Sequence, residues 1–309
     1  MIHVNSTDYR FTHTSVALGK FEGIHLGHQL LLDEAVRLTR RGTRATVFTF
    51  DHIPAQVLHG ESRYQQVYTR QERRRILEEK GIDILVEHPF TREFASMSPE
   101  DFIRGILVGR LGARQIIVGT DFRFGKNRSG DVNTLAYMAY DCDYELKVID
   151  KLKIGGSDVS TSWVREAVGT GEMEEAEKLL GRPFSVEGPV VHGKELGRHL
   201  HIPTANIEVA ADKLLPPNGV YVTRVSIGDS SHYGITNIGL RPTVEESERQ
   251  NVETHIFDFD QMIYDQEIKV ELLHFCRPEI RFDSVDDLKE QLDKDIDFGR
   301  KYIQNIREE

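Results

Sequence analysis

The sequence predicts an α/β domain with a parallel sheet, followed by a domain of mainly antiparallel β structure. Over residues 14–150, short apolar runs alternate with amphipathic helical segments, which is the pattern of βαβ units. After residues 181–183 the pattern changes to short runs of alternating polarity separated by turns, which fits an antiparallel barrel or sandwich. A chain of 309 residues is long enough to bury two cores. We therefore predict two domains, residues 1–182 and 183–309.

The elements of the first domain follow from its apolar periodicity. Strands are predicted at residues 15–18, 45–50, 82–87, 115–118 and 144–149. Helices are predicted between them at residues 29–41, 69–80, 99–111 and 132–140, the third with Ser98 as N-cap and Pro99 in the first turn. Ligands of parallel sheets bind at the carboxyl ends of the strands, so the loops after these strands are the candidate binding loops.

The second domain is predicted from period-2 alternation and regular turns. A short helix at residues 172–180 precedes strands at 184–191, 221–227, 232–238, 253–259 and 268–275. A helical repeat of apolar residues over 284–306 predicts a last helix that packs on the β structure.

The loop after the first strand has the pattern G-x-F-x-G-x-H-x-G-H, formed by Gly19, Phe21, Gly23, His25, Gly27 and His28. A strand that turns through glycines into a helix presents free N–H groups at the positive end of a helix dipole, which is an anion site. Two imidazoles there can donate to phosphate oxygens during nucleotidyl transfer. Zinc ligation is the alternative, but no cysteine or third histidine lies nearby at zinc spacing. The loop also lacks the Walker A pattern.

Two further segments are candidate parts of the same site. Residues 118–131 combine three glycines and three cations with Asp121, Phe122 and Phe124, which is unusually aromatic for a solvated loop. Ser160 and Thr161 lie at a predicted helix start, with Arg165 one turn later. A plain helix N-cap is the alternative for this pair of hydroxyls. Next to the other two motifs, we expect them to contact a triphosphate.

The second domain has phosphate chemistry of its own. Gly193, Gly197 and Arg198 belong to a basic glycine loop after a strand, and Thr204 and Asn206 follow it. Their oxygens are hard ligands that suit a Mg²⁺ ion carrying a nucleotide, although a turn-forming Asn near Pro is the alternative. Glu253 begins a strand and is a candidate base for an attacking hydroxyl, with a solvated strand end as the alternative.

Composition excludes several classes of function. The formal net charge of −11 argues against a nucleic-acid partner. The longest apolar runs fall far short of the roughly 20 residues that span a bilayer, and the first residues lack a signal-peptide pattern. The two cysteines, Cys142 and Cys276, are far apart and form no disulfide or metal motif. We expect a cytoplasmic protein without a membrane partner.

In this order along nearly the whole chain, the motifs resemble those of the prokaryotic bifunctional riboflavin kinase/FMN adenylyltransferase (FAD synthetase) family. The match covers residues 19–28, 119–130, 160–165, 192–193, 197–198, 203–206, 219–221, 237–243 and Glu253. The resemblance implies a Rossmann-like nucleotidyltransferase domain with a parallel sheet, then a six-stranded antiparallel riboflavin kinase barrel with a C-terminal helix. It also implies phosphorylation of riboflavin by ATP, then adenylylation of FMN by a second ATP with release of pyrophosphate.

The same resemblance assigns roles to individual residues. The catalytic residues are implied to be His25, His28, Arg165 and Glu253, and the metal ligands Thr204 and Asn206 would hold Mg²⁺. Flavin binding is implied for Phe122, Phe124, Asn237 and Arg277. Nucleotide or phosphate binding is implied for Gly19, Phe21, Gly23, Gly27, Asp121, Ser160, Thr161, Gly193, Gly197 and Arg198. The expected substrates are riboflavin, FMN and ATP.

Departures from the family pattern are concentrated in the kinase half. His201 and Asp265 stand where glycine is usual, and Pro278 follows Arg277 near the expected flavin end. Glycine at such places permits a positive φ or a close backbone approach to phosphate. Three alternatives therefore stay open: an FAD synthetase with a decayed kinase half, a nucleotidyltransferase for another acceptor, and a flavin-binding regulator without turnover.

Overall fold

The computed structural model describes residues 1–52, 64–193, 202–241 and 249–308. Contacts divide the chain into two compact units, Met1–Thr161 and Ser162–Glu309. The predicted boundary between residues 182 and 183 lies inside the second unit and remains a prediction about where the chain can be separated. No helix in the described ranges is both long enough and apolar enough to cross a membrane.

The first unit is built on a six-stranded sheet in which every pair of neighbours is parallel. In chain order its strands are β1 (Ile2–Val4), β2 (Thr14–Leu18), β3 (Arg44–Phe50), β4 (Ile84–His88), β5 (Ala113–Gly119) and β6 (Glu145–Ile149). The five predicted strands are confirmed with small shifts at their ends. The edge strand β1 was not predicted, because three residues are too few for a recognisable period.

The strand order is β1-β4-β3-β2-β5-β6. The chain runs outward from β2 through β3 and β4, then returns to the other side of β2 to form β5 and β6. The order therefore reverses between β2 and β5, and a ligand crevice is expected outside the carboxyl ends of these two strands. The two predicted loops at residues 19–28 and 119–130 follow β2 and β5, so both lie at this reversal.

Helices cover the sheet at the four predicted places, and a short helix at Arg92–Ala95 was not predicted. They are α1 (Leu26–Leu38), α2 (Arg70–Glu79), α3 (Arg92–Ala95), α4 (Pro99–Asp101) and α5 (Val132–Met138), with short 3₁₀ turns at Thr39–Arg41 and Lys126–Arg128. Ser98 caps α4 as predicted, accepting a hydrogen bond from the Asp101 amide at 3.0 Å. The predicted helix continues past α4 with π-helical geometry over Phe102–Val108, whose apolar side chains enter the core.

A small hairpin ends the first unit. Its strands are β7 (Lys153–Ile154) and β8 (Ser157–Asp158), joined by Gly155 and Gly156, which both have positive φ. The hairpin was not predicted, although a Gly-Gly pair between polar residues is a turn signal. It leads into α6 (Thr161–Thr170), whose start agrees with the prediction of hydroxyls at a helix N-terminus.

The second unit is a closed antiparallel barrel of six strands in the order β10-β13-β12-β11-β14-β9. Its elements are α7 (Met173–Leu180), β9 (Phe184–Val191), β10 (Ala205–Ile207), β11 (Gly219–Ile227), β12 (Ser230–Arg241), β13 (Arg249–Ile256), β14 (Glu267–Pro278) and α8 (Val285–Glu308). The predicted barrel and last helix are confirmed. Periodicity did not reveal β10, which is only three residues long.

The two faces of the barrel wall differ in chemistry. A hydrogen-bonded group of buried threonines, Thr223, Thr236 and Thr254, lies on one face, with Oγ1–Oγ1 distances of 3.0 and 2.8 Å. On the other face, Val220 and Ile235 pack in a cluster with Ile303 of α8. Alternation along the strands therefore gives Asn237 and its cross-strand neighbours the same face as α8.

Candidate active sites

The first unit contains a cavity of about 1000 Å³ at the strand-order reversal. It is lined by the residues that follow β2, β5 and β6 and by the segment Asp158–Thr161. Pockets for small organic ligands range up to about this volume. Of the residues predicted for this site, the lining includes Gly19, Gly27, His25, His28, Asp121, Phe122, Phe124, Ser160 and Thr161.

Phe21 and Gly23 lie behind the cavity and support the loop that lines it. Phe21 and Ile24 are fully buried and have φ values of +47° and +38°. Non-glycine residues in this region are strained, and such conformations persist only where packing holds them. The Phe21 ring lies 5.3 Å from the His28 ring, so the strained turn fixes the position of a histidine at the cavity wall.

His25 and His28 stack on each other with ring centroids 3.9 Å apart. The Nδ1 atom of His25 accepts a hydrogen bond from the His28 backbone amide at 3.3 Å, so His25 is the N-cap of α1. Accepting at Nδ1 requires the proton of the neutral ring to be on Nε2. His25 therefore has an N–H donor to offer beyond the helix end, where the dipole favours an anion.

The surroundings of both histidines favour the neutral form of the ring. Burial lowers the pKa of His25 from 6.5 to about 4. Burial, together with the neighbouring His25, lowers the pKa of His28 well below its usual value. The buried Nδ1 atom of His28 has no hydrogen-bond partner within the described residues. A buried polar atom of this kind calls for a partner from outside the protein, and phosphate oxygen is one that fits.

Part of the cavity lining is aromatic. Phe122 and Phe124, for which flavin binding stays a prediction, stack with ring centroids 5.5 Å apart. The lining also includes Phe50, Phe90 and Phe94, which were not predicted. Phe50 ends β3 and Phe90 follows β4 by two residues, so their positions at strand ends were the available sequence signal. The cavity lining thus combines two histidines with a cluster of phenylalanines, a combination that suits a ligand with a phosphate and an aromatic ring system.

Arg165 belongs to α6, one turn after Thr161, and falls in the second compact unit. Its predicted contact with the triphosphate remains a prediction.

In the second unit, four of the residues predicted for the kinase site lie in one row across the barrel. Strand register pairs Asn206 with Glu253 and Glu253 with Asn237, and the row continues through Val220 to Arg277. Directly paired residues on neighbouring strands point to the same face. Four residues that are far apart in the sequence are therefore neighbours on the wall of the barrel.

Asn251 lies beside this row, two residues before Glu253 on β13, and was not predicted. Its Nδ2 atom donates to Glu253 Oε1 at 2.6 Å and to Asn206 Oδ1 at 3.3 Å. One amide thus fixes both the candidate base and a candidate metal ligand. Its spacing of two residues from Glu253 on a strand was the only signal in the sequence, because i and i+2 share a face.

The surroundings of Asn206 fit a hard cation held by neutral oxygens. Asn206 is 5 % exposed, and its Oδ1 atom keeps a second lone pair beyond the bond from Asn251. Gly193 lies against this amide, because a Cβ at residue 193 would come within 2.2 Å of Asn206 Nδ2. Thr204 precedes β10 and is half-buried. Mg²⁺ commonly takes few protein ligands and completes its shell with phosphate and water, which these residues allow.

Three other predictions about the kinase half have different outcomes. Arg277 is held by Asp295 of α8, with Nη2–Oδ2 at 2.6 Å, so its guanidinium is already paired. Asp265 has φ of +61°, which is the conformation that a glycine would adopt without strain. Pro278 ends β14 as an exposed residue. Gly197, Arg198, His201 and residues 242–243 lie outside the described residues.

Comparison with known proteins gives matches over both halves of the chain. A family model described as FAD synthetase matches residues 8–163, and one described as riboflavin kinase matches residues 180–303. Bifunctional riboflavin kinase/FMN adenylyltransferases from Listeria monocytogenes and Buchnera aphidicola are 33% and 35% identical, covering 95% and 96% of this chain and 93% and 96% of their own.

The chain belongs to the bifunctional riboflavin kinase/FMN adenylyltransferase family.

Further relatives agree with this membership. The Escherichia coli member of the family is 35% identical over 93% of this chain and 92% of its own length. A Streptococcus pneumoniae crystal structure described as a macrolide-efflux protein superimposes with a TM-score of 0.85 at 31% identity, covering 96% of this chain and 97% of that one. That likeness supports the fold of both family domains.

Proposed function

We propose that the two halves of this chain catalyse successive steps of flavin cofactor synthesis. The barrel phosphorylates riboflavin with ATP to give FMN, and the parallel-sheet unit adenylylates FMN with a second ATP to give FAD and pyrophosphate. The observation that carries the kinase assignment is the row of Asn206, Glu253 and Asn237, in which Asn251 donates to both Asn206 and Glu253. This arrangement also argues against a decayed kinase half, in which base and metal ligands would be lost without penalty.

In the kinase reaction, Glu253 accepts the proton of the ribityl hydroxyl as that oxygen attacks the γ-phosphorus of ATP. Thr204 and Asn206 hold Mg²⁺, which supplies positive charge for the ATP phosphates when bound. Asn237 stands next to Glu253 in the row and contributes to the flavin side. The ion pair with Asp295 holds the guanidinium of Arg277 in one orientation. Arg277 therefore contacts the flavin from a fixed position.

In the adenylyltransferase, the stacked histidines form the phosphate end of the cavity and the phenylalanines form the ring end. His25 donates from Nε2, and His28 donates toward the developing charge on the α-phosphate. Ser160, Thr161 and the N–H groups at the start of α1 hold the remaining phosphate oxygens, and Arg165 adds a cation. FMN phosphate is itself the nucleophile, so positioning and charge stabilisation supply the catalysis.

The proposal is tested by incubating the purified protein with riboflavin, ATP and Mg²⁺ and separating the flavins by chromatography. The wild type is expected to form FMN first and then FAD. Glu253→Gln is expected to form almost no FMN from riboflavin while still converting added FMN to FAD. If the wild type converts FMN to FAD but forms no FMN from riboflavin, the kinase assignment is wrong and the protein is a monofunctional FAD synthetase.

The setting of the enzyme is part of the proposal. Both reactions consume ATP, which supports a cytoplasmic location. The net charge of −11 supports small-molecule substrates rather than a nucleic-acid partner.

A further inference from the structure

We propose that the Lys151 ammonium group binds the polyphosphate of ATP, and the pyrophosphate product, in the FMN adenylyltransferase site. This inference rests on the proposed adenylyltransferase function of the first unit. Lys151 follows β6 by two residues and lines the cavity together with His25, His28 and Ser160. None of the three sequence motifs contains it.

The hairpin β7–β8 brings Lys151 to the phosphate end of the cavity. Lys153 pairs with Asp158, and the Val159 amide donates to the Leu152 carbonyl at 2.9 Å. The same register sets Lys151 opposite Ser160. The returning strand also lies beside the histidine loop, because a Cβ at Gly27 would be 3.8 Å from the Val159 carbonyl oxygen. Lys151 therefore lines the cavity on the strand that passes beside the start of α1.

Two carboxylates hold the Lys151 ammonium in place. Its Nζ atom lies 3.1 Å from Asp121 and 3.3 Å from Asp158. An ammonium group has three N–H donors, so these two contacts leave one for a ligand. Two carboxylates beside a polyphosphate would repel it, and the ammonium between them offsets part of that repulsion and presents an N–H donor to the anion.

The charge of Lys151 is secure over the neutral pH range. Its hydrogen bond to Asp121 is the largest of the effects that raise the pKa of Lys151, followed by the charge of Asp121 and the hydrogen bond to Asp158. The side chain is 43 % exposed, so a ligand entering the cavity can reach the ammonium group. The long flexible stem allows it to follow a phosphate without leaving both carboxylates.

In this position the Lys151 ammonium would contact the pyrophosphate group, on which negative charge accumulates during the reaction. A phosphate oxygen of FMN forms a bond to the α-phosphorus of ATP. The bond from that phosphorus to the oxygen bridging to the β-phosphorus breaks, and its electron pair leaves on pyrophosphate. No proton transfer is required for this exchange. Lys151 stabilises the charge that accumulates on the leaving group, and in the reverse direction it binds pyrophosphate.

Lys153 is a matched control for Lys151. It contacts the same carboxylate, with Nζ 3.8 Å from Asp158, but its side chain is 64 % exposed and does not line the cavity. Replacing either lysine removes one positive charge from the same hairpin. Only the loss of Lys151 should affect the binding of phosphate.

The test compares Lys151→Met, Lys151→Arg and Lys153→Met in the full-length protein. We measure kcat and KM for ATP in FAD formation from FMN, and kcat and KM for pyrophosphate in the reverse conversion of FAD to FMN and ATP. Loss of one charge-assisted hydrogen bond predicts that Lys151→Met lowers kcat/KM for both ATP and pyrophosphate by about 10-fold to 100-fold. Lys151→Arg should recover most of this loss, and Lys153→Met should stay within about 2-fold of wild type.

The double variant Lys151→Met/Asp158→Asn separates binding from simple neutralisation. If Lys151 served only to neutralise Asp158, removing that carboxylate would restore the affinity for ATP and pyrophosphate and overturn the proposal. We expect no restoration. Equal effects of Lys151→Met and Lys153→Met would also overturn it. A wild type that forms no FAD from FMN would overturn the proposed adenylyltransferase function itself, which is a different result from a variant-specific loss.

Discussion

Replacing Asn251 by alanine is expected to damage the kinase reaction selectively. Within the described parts of the chain, Asn251 is the one side chain that bonds to both Glu253 and Asn206, so its loss frees the candidate base and the candidate metal ligand together. The first unit has its own cavity and core, and FAD formation from FMN should therefore continue at the wild-type rate.

The size of the effect follows from the two hydrogen bonds. The 2.6 Å bond to Glu253 has a charged acceptor when that carboxyl group is ionised, and such bonds contribute about 1.5–3 kcal/mol. The 3.3 Å bond to Asn206 is longer and neutral and contributes less. A loss of this size in transition-state stabilisation lowers kcat/KM for riboflavin phosphorylation by about 10-fold to 100-fold. Asn251→Asp should lower it further, because it replaces the donor with a second carboxylate next to Glu253.

The assay follows FMN formation from riboflavin and FAD formation from FMN in the same protein preparation. Gln250→Ala is the control, since the Gln250 amide bonds to Pro216 and Asn218 rather than to the base or the metal ligand. A wild-type rate of FMN formation in Asn251→Ala would refute the proposed role of this amide. An equal fall in both activities would mean that the substitution acts through stability instead.

Three further predictions concern the histidines and the division of the chain. His28→Ala should lower FAD formation from FMN by about 10²-fold to 10³-fold while FMN formation stays near wild type, and equal damage to both in a folded variant would contradict the two-site assignment. A fragment of residues 162–309 should unfold cooperatively and at a higher temperature than a fragment of 184–309. The shorter fragment lacks α7, whose Met173, Leu179 and Leu180 are fully buried, and equal melting temperatures would favour the boundary at residue 183. Finally, burial lowers the pKa of His88 from 6.5 to about 4, so the unfolded chain binds more protons between these values and the unfolding free energy falls as the pH falls through them. The loss from pH 7 to pH 5 should be about 2 kcal/mol for this group, and a denaturation series in which His88→Phe keeps the full slope would contradict it.

The fold could be predicted largely from periodicity because its elements bury continuous apolar surface. Strands such as Thr14–Leu18 are buried at every position, and the change to alternating polarity marks the barrel. The short elements β1, β7, β8 and β10 were missed, since two or three residues hold too little pattern to distinguish a strand from a loop. Their positions are fixed by pairing with longer strands, which is a tertiary effect.

By itself, the sequence indicated which segments are candidates for binding and what chemistry their residues offer. The candidate motifs are local features, and their chemistry follows from residue type and spacing. They are the glycines at a strand end, the paired histidines, the hydroxyls at a helix start and the Thr-x-Asn pair. Only the tertiary structure decided which of these groups meet. The strand order brings the loops after β2 and β5 to the same cavity. The strand register places Asn206, Glu253 and Asn237 in one row. Packing adds residues that no motif contains, namely Asn251 in the barrel and Lys151 and the phenylalanines in the cavity lining. Contacts of this kind depend on residues far apart in the chain, so no local pattern can encode them.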